Sequence, residues 1–139
     1  MSVMLITHDL GVVAENADAV AVMYASKVVE YAGVNDLFDS PRHPYTEGLF
    51  RAMPRLGRAG RRLEAIAGTV PSPERFPTGC KFHPRCPRMN GDAVCAGEEP
   101  ALREVGAKHW AACHHVENFA DMPVTPPTTD SRRAAEVSR

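Results

Sequence analysis

The sequence lacks any apolar run long enough to cross a bilayer. The longest, Ala19 to Ala25, falls far short of the roughly 20 residues that a spanning helix needs. The opening "MSVMLI" lacks the basic start and long apolar centre of an export signal, so a reducing cytosol is the expected compartment. Aromatics are scarce, at 6%, and none interleave with the basic residues at base-stacking spacing, which argues against nucleic acid as a partner. Strong net charge is absent too. The formal value is −1, but Arg51 to Arg88 carries nine Lys/Arg against two Glu. Such a surplus suits a solvated linker, or a surface for anionic lipid headgroups or an anionic cofactor.

In 139 residues there is room for one modest domain or two small pieces. All twelve prolines lie after residue 40, which predicts a loop-rich second half. The first half is patterned differently. Val3-Met4-Leu5-Ile6 is a short continuous apolar run of the kind found in buried parallel strands. Asp9 is placed to cap a helix whose apolar residues Leu10, Val13, Ala14 and Ala17 share one face. "AVAVMY" and "KVVEY" then predict a hairpin turning at Ala25-Ser26. Strand, helix and hairpin in this order are expected of the end of an α/β domain. Because a parallel strand needs neighbours, the chain is expected to be a fragment.

Beyond the hairpin, Val34, Leu37 and Phe38 form an apolar helical face that Ser40-Pro41 ends. Pro44 suits the first turn of a second helix, with Tyr45, Leu49 and Met53 repeating at four-residue spacing. His43, just before that proline, is expected to be structural. The resulting division is residues 1–33 as a domain end, 34–57 helical, 58–79 a basic Pro/Gly-rich linker, 80–118 an irregular cysteine-bearing module and 119–139 a disordered tail.

Four cysteines, Cys80, Cys86, Cys95 and Cys113, follow the pattern C-x5-C-x8-C-x17-C. In a reducing compartment they are more plausible as metal ligands or free thiols than as disulfides. The C-x2-C knuckles of zinc fingers and ribbons are missing, which demotes structural zinc without excluding it. The bacterial ferredoxin spacing is missing as well, although Cys86-Pro87 is similar to its Cys-Pro ending. Lys81, Arg85, Arg88 and His83 lie close in sequence to offset thiolate charge. Mixed ligation with His83, His109, His114 or His115 would favour zinc, whereas all-Cys ligation admits zinc or an iron–sulfur cluster. The other candidate is His8, at the end of the apolar run. Ligands of open α/β sheets bind at such carboxyl ends, and a histidine there can contact a phosphate or orient an attacking water.

"LITHDLGVVAENADAVAVMYASKVVEYAGVNDLF" resembles the end of the ATP-binding domain of ABC transporters. "SPRHPYTEGLF" followed by "GCKFHPRCP" and two further cysteines resembles, more narrowly, ATP-binding subunits of oligopeptide/dipeptide importers. The resemblance covers residues 3 to about 115. It implies that His8 is the switch histidine that contacts the ATP γ-phosphate. It also implies that Cys80, Cys86, Cys95 and Cys113 belong to a C-terminal extension that holds a [4Fe-4S] cluster in some members, with zinc as the alternative. ATP and Mg²⁺ would bind the parent protein, a peripheral subunit at the cytoplasmic face of the plasma membrane. Its partners would be the transporter's transmembrane subunits and a second ATP-binding subunit. Ser26 departs from the glycine usual at its position, and Ala67 from a common proline. No G-x-x-x-x-G-K-[ST] loop, LSGGQ-like signature or acidic strand end occurs in these residues, so this segment alone is expected not to hydrolyse ATP. The rival expectation is a stand-alone four-cysteine metal or redox module.

Overall fold

The computed structural model describes residues 1–53, 65–89 and 91–118. Leu63 and Glu64 of the apolar segment around Leu63–Ile66, the first part of the basic linker and the expected disordered tail lie outside the described residues.

Helix α1 (Leu10–Asn16) begins where the sequence places it. Asp9 caps it, its carboxylate accepting from the Gly11 and Val12 N–H groups. Strands β1 (Ala19–Tyr24) and β2 (Lys27–Gly33) pair antiparallel across a two-residue turn. Ala25 and Ser26 both take left-handed backbone angles, φ 48° and 63°. That pair of angles matches the tight hairpin turn whose twist suits the strands, and it is normally occupied by Asn-Gly or Gly-Gly. Ser26→Gly should therefore raise stability by about 1 kcal/mol. A urea-unfolding midpoint that moves down would contradict this.

Helices α2 (Val34–Asp39) and α3 (Pro44–Arg51) follow, with Pro44 in the first turn of α3 as expected. Leu37, Phe38 and Phe50 are buried, and the rings of Phe38 and Phe50 stack at 4.5 Å. A short helix α4 (Ala93–Gly97) and strands β3 (Arg103–Gly106) and β4 (His109–Ala111) come from the cysteine-bearing half. The four strands make one antiparallel sheet in the order β1-β2-β4-β3, with Glu30 opposite Ala111 and Tyr31 opposite Trp110. Phe82, from the same half, is buried against Tyr24 at 5.2 Å and Tyr45 at 5.5 Å between ring centres. No described helix is long and apolar enough to cross a membrane.

Two expectations are corrected. The strand predicted at Val3–Ile6 does not form, and these residues are 58–88% exposed. A strand needs a lateral partner for its N–H and C=O groups, and among the described residues none pairs with this segment. The cysteine-bearing half, expected to be irregular, instead supplies two strands and a helix. β4 adds to the free edge of β2, which satisfies backbone groups that edge would otherwise expose.

Candidate metal centre

The cysteines come from separate turns and are drawn to one place. Cys80 and Cys86 flank the 3-10 turn His83–Arg85. Cys95 sits in α4, and Cys113 follows β4. Gly79 lets the first turn close: its φ is +62°, and a Cβ there would lie 2.6 Å from the Cys95 carbonyl oxygen. Only glycine tolerates both conditions, and the result is the Cys80 N–H to Cys95 carbonyl bond at 2.9 Å. All four cysteines are free thiols and line one cavity of about 20 Å³, together with His43, His83 and Arg88 among others.

Burial pushes all four thiols above their ordinary values, and Cys113 reaches about 12. The thiols also raise one another across the cavity: Cys80 acts on Cys86, Cys95 and Cys113. Backbone N–H groups oppose this. Phe82 and His83 donate to Cys80, Arg88 and Met89 to Cys86, and His115 to Cys113 at 3.4 Å. Convergent sulfurs, desolvated by burial and met by backbone donors, are a donor set that fits a bound metal or cluster. Such a centre would supply the charge that holds them as thiolates.

The expected charge compensation is partly corrected. Lys81 and Arg88 do lower Cys80 and Cys86 respectively, with Arg88 held by Glu47 at 3.0 Å. Arg85 turns elsewhere. Its guanidinium donates to the carbonyls of Ile66, Ala67 and Gly68 at 2.9–3.2 Å and to the Tyr24 hydroxyl at 3.4 Å. Three carbonyls aimed at one point satisfy a planar fork of donors better than diffuse thiolate charge does.

His43 is structural, as expected. It is 1% exposed and caps α3 by accepting from the Tyr45 N–H at 3.1 Å. Burial lowers its pKa from 6.5 to about 4, against a hydrogen bond with the Ala112 backbone that raises it. In the fold it stays neutral where the unfolded chain would take a proton. Stability from this group is therefore complete above pH ~6.5 and declines as pH falls toward 4. The loss should reach roughly 2 kcal/mol between pH 7.5 and 5, read from urea midpoints. His43→Asn should flatten that slope, and an unchanged slope would refute the assignment.

His8 is exposed in the segment before α1 and is not brought to the cysteines. Sequence reasoning missed Glu30, which is fully buried. Its carboxylate accepts from the backbone N–H groups of Arg42 and His43 and from His109 Nε2 at 2.7 Å. A single carboxylate inside the apolar "KVVEY" was the available signal. Asp92 and His115 were also not paired in advance: Asp92 Oδ2 and His115 Nε2 lie 2.8 Å apart. With Cys95 they form a group whose donor atoms are all within 4.8 Å of one another.

A family model described as the oligopeptide/dipeptide transporter C-terminal region matches residues 29–93. The chain is 56% identical over 101 residues to the oligopeptide transport ATP-binding protein AppD of Bacillus subtilis, covering 73% of this chain and 30% of that protein. It is 52% identical over 116 residues to the oligopeptide transport ATP-binding protein OppD of Mycobacterium tuberculosis, covering 83% and 19%. The dipeptide transport ATP-binding protein DppD of Haemophilus influenzae is 42% identical over 124 residues, covering 89% and 37%. The chain thus spans between 19% and 37% of the length of these curated relatives.

Proposed function

We propose that the chain is the C-terminal part of an ATP-binding subunit that powers peptide import, a reading supported by its match to the oligopeptide/dipeptide transporter C-terminal region and by its identity to peptide-transport ATP-binding proteins. The parent binds ATP and Mg²⁺, with His8 contacting the γ-phosphate and orienting the attacking water. It works at the cytoplasmic face of the plasma membrane, docked on transmembrane subunits and paired with a second ATP-binding subunit. The chain's own contribution to chemistry is His8; its other role is to carry a metal centre on Cys80, Cys86, Cys95 and Cys113.

The observation that carries the metal reading is the convergence of four thiols on one cavity, with backbone donors aimed at the sulfurs. The family resemblance favours a [4Fe-4S] cluster over zinc on these four thiols, and a cluster would add electron-transfer capacity or structural rigidity to the subunit.

Protein purified without oxygen should be brown and contain iron and acid-labile sulfide in about equal amounts. Cys86→Ser should abolish both and destabilise the segment from Cys80 to Cys113, because the centre contributes folding energy to a small module. Colourless protein with stoichiometric zinc would refute the cluster. Cys86→Ser protein that keeps its iron would refute the ligand assignment.

A further inference from the structure

The geometry points to a second, mixed-donor cation site at Asp92, Cys95 and His115, which takes a single borderline divalent ion such as zinc and excludes the four-cysteine loading by sharing Cys95. The donor atoms already lie within 4.8 Å of one another. Asp92 is fixed by its own local structure: Oδ1 caps α4 by accepting the Val94 N–H at 2.9 Å, which leaves Oδ2 toward His115 Nε2 at 2.8 Å. Cys95 follows in the same helix, so two donors are set by one short element. His115 arrives from the other side, anchored through its N–H to the Cys113 sulfur.

The donor set has the chemistry of zinc. One thiolate, one imidazole and one carboxylate are each common ligands of that ion, and three protein donors leave a fourth position for water. At zinc–ligand distances near 2.0–2.1 Å, tetrahedral N and O donors stand about 3.3 Å apart. The Asp92–His115 pair, at 2.8 Å, needs to open only slightly. Both side chains are about one-third exposed, which gives an ion a path from solvent.

The inference rests on the four-cysteine reading only for the mutual exclusion; the mixed site stands or falls separately. Full-length chain, freed of metal by chelator and kept reduced, is titrated with Co²⁺ and then Zn²⁺. About one equivalent of Co²⁺ should bind, with tetrahedral visible bands and the near-ultraviolet intensity of one thiolate. Asp92→Asn keeps the helix cap and removes the charge, and His115→Ala removes the imidazole. Each should weaken binding by at least about tenfold. The Cys80→Ser/Cys86→Ser/Cys113→Ser variant should still bind. Four-thiolate intensity, or unchanged affinity in both single variants, would overturn the mixed site. The single variants are partly exposed positions, so they decide the matter even if the triple variant does not fold.

Iron and sulfide reconstitution of His115→Ala provides the separate check. Retained cluster in that variant supports a cluster that does not use His115, with Cys95 as the one shared ligand. Failure of metal-free wild-type chain to take up iron, when a separate sample of it binds Co²⁺, overturns the cluster and leaves the mixed site intact. Zinc-loaded chain should resist iron loading, and equal loading with zinc retained would overturn the exclusion.

Discussion

Glu30→Ala is expected to destabilise the chain by about 3–5 kcal/mol, the range for removing one partner of a buried ionic network. Glu30 has no solvent exposure, and its two oxygens receive the N–H groups of Arg42 and His43 and the imidazole of His109. Those three donors come from the α2–α3 connection and from β4, so one side chain on β2 ties together three parts of the molecule. Removing it leaves buried donors without acceptors, each costing about 1–3 kcal/mol. Small domains hold only about 5–15 kcal/mol in total, so much of the population should unfold at 37 °C. Glu30→Gln keeps the shape and one acceptor oxygen, and should lose less. The measurement is urea unfolding of both variants beside wild type. A loss below about 1 kcal/mol in Glu30→Ala would show that water replaces the carboxylate.

The same network bears on the proposed metal centre. His43 lines the thiol cavity, and Ala112, beside Cys113, hydrogen-bonds with it. Loosening Glu30 should therefore also weaken metal retention, although Glu30 touches no cysteine. That distinguishes it from Cys86, whose loss would remove a proposed ligand directly.

What could be read in advance follows from the range of the forces involved. The Asp9 cap, the hairpin at Ala25-Ser26, the stop at Ser40-Pro41 and Pro44 opening α3 are all decided within a few residues, and each is found as read. The pairing of β4 with β2 joins residues about eighty positions apart, and nothing local in "HWA" announces it. The four cysteines were legible as a set because the sequence carries no others, and the fold brings all four to one cavity. Arg85 was misread for the reverse reason: its neighbours in sequence are cysteines, while its partners in space are the carbonyls of Ile66 to Gly68. Val3–Ile6 reads as a buried strand, but burial is a property of an assembled sheet and not of the run itself.

That segment leads to the other large effect. On the proposed function, His8→Ala in the complete subunit, assembled with the proposed transmembrane partners, should lower ATP turnover by about 10²-fold or more, the range for losing a positioned proton-transfer or water-orienting group. His8 stands between the exposed apolar run and the capped start of α1. Its neighbours are fixed by the Asp9 N–H to Thr7 Oγ1 bond at 3.0 Å and by the Asp9 cap itself. The backbone on both sides is thus held while the imidazole stays exposed and available to a ligand. ATP affinity should change far less than turnover, because a group that acts on the attacking water stabilises the transition state more than the bound nucleotide. Metal content should not change at all, since His8 lies outside the thiol cavity. Turnover within about twofold of wild type would remove His8 from the reaction. The metal-bearing module would then be the segment's only chemistry, as the stand-alone reading requires.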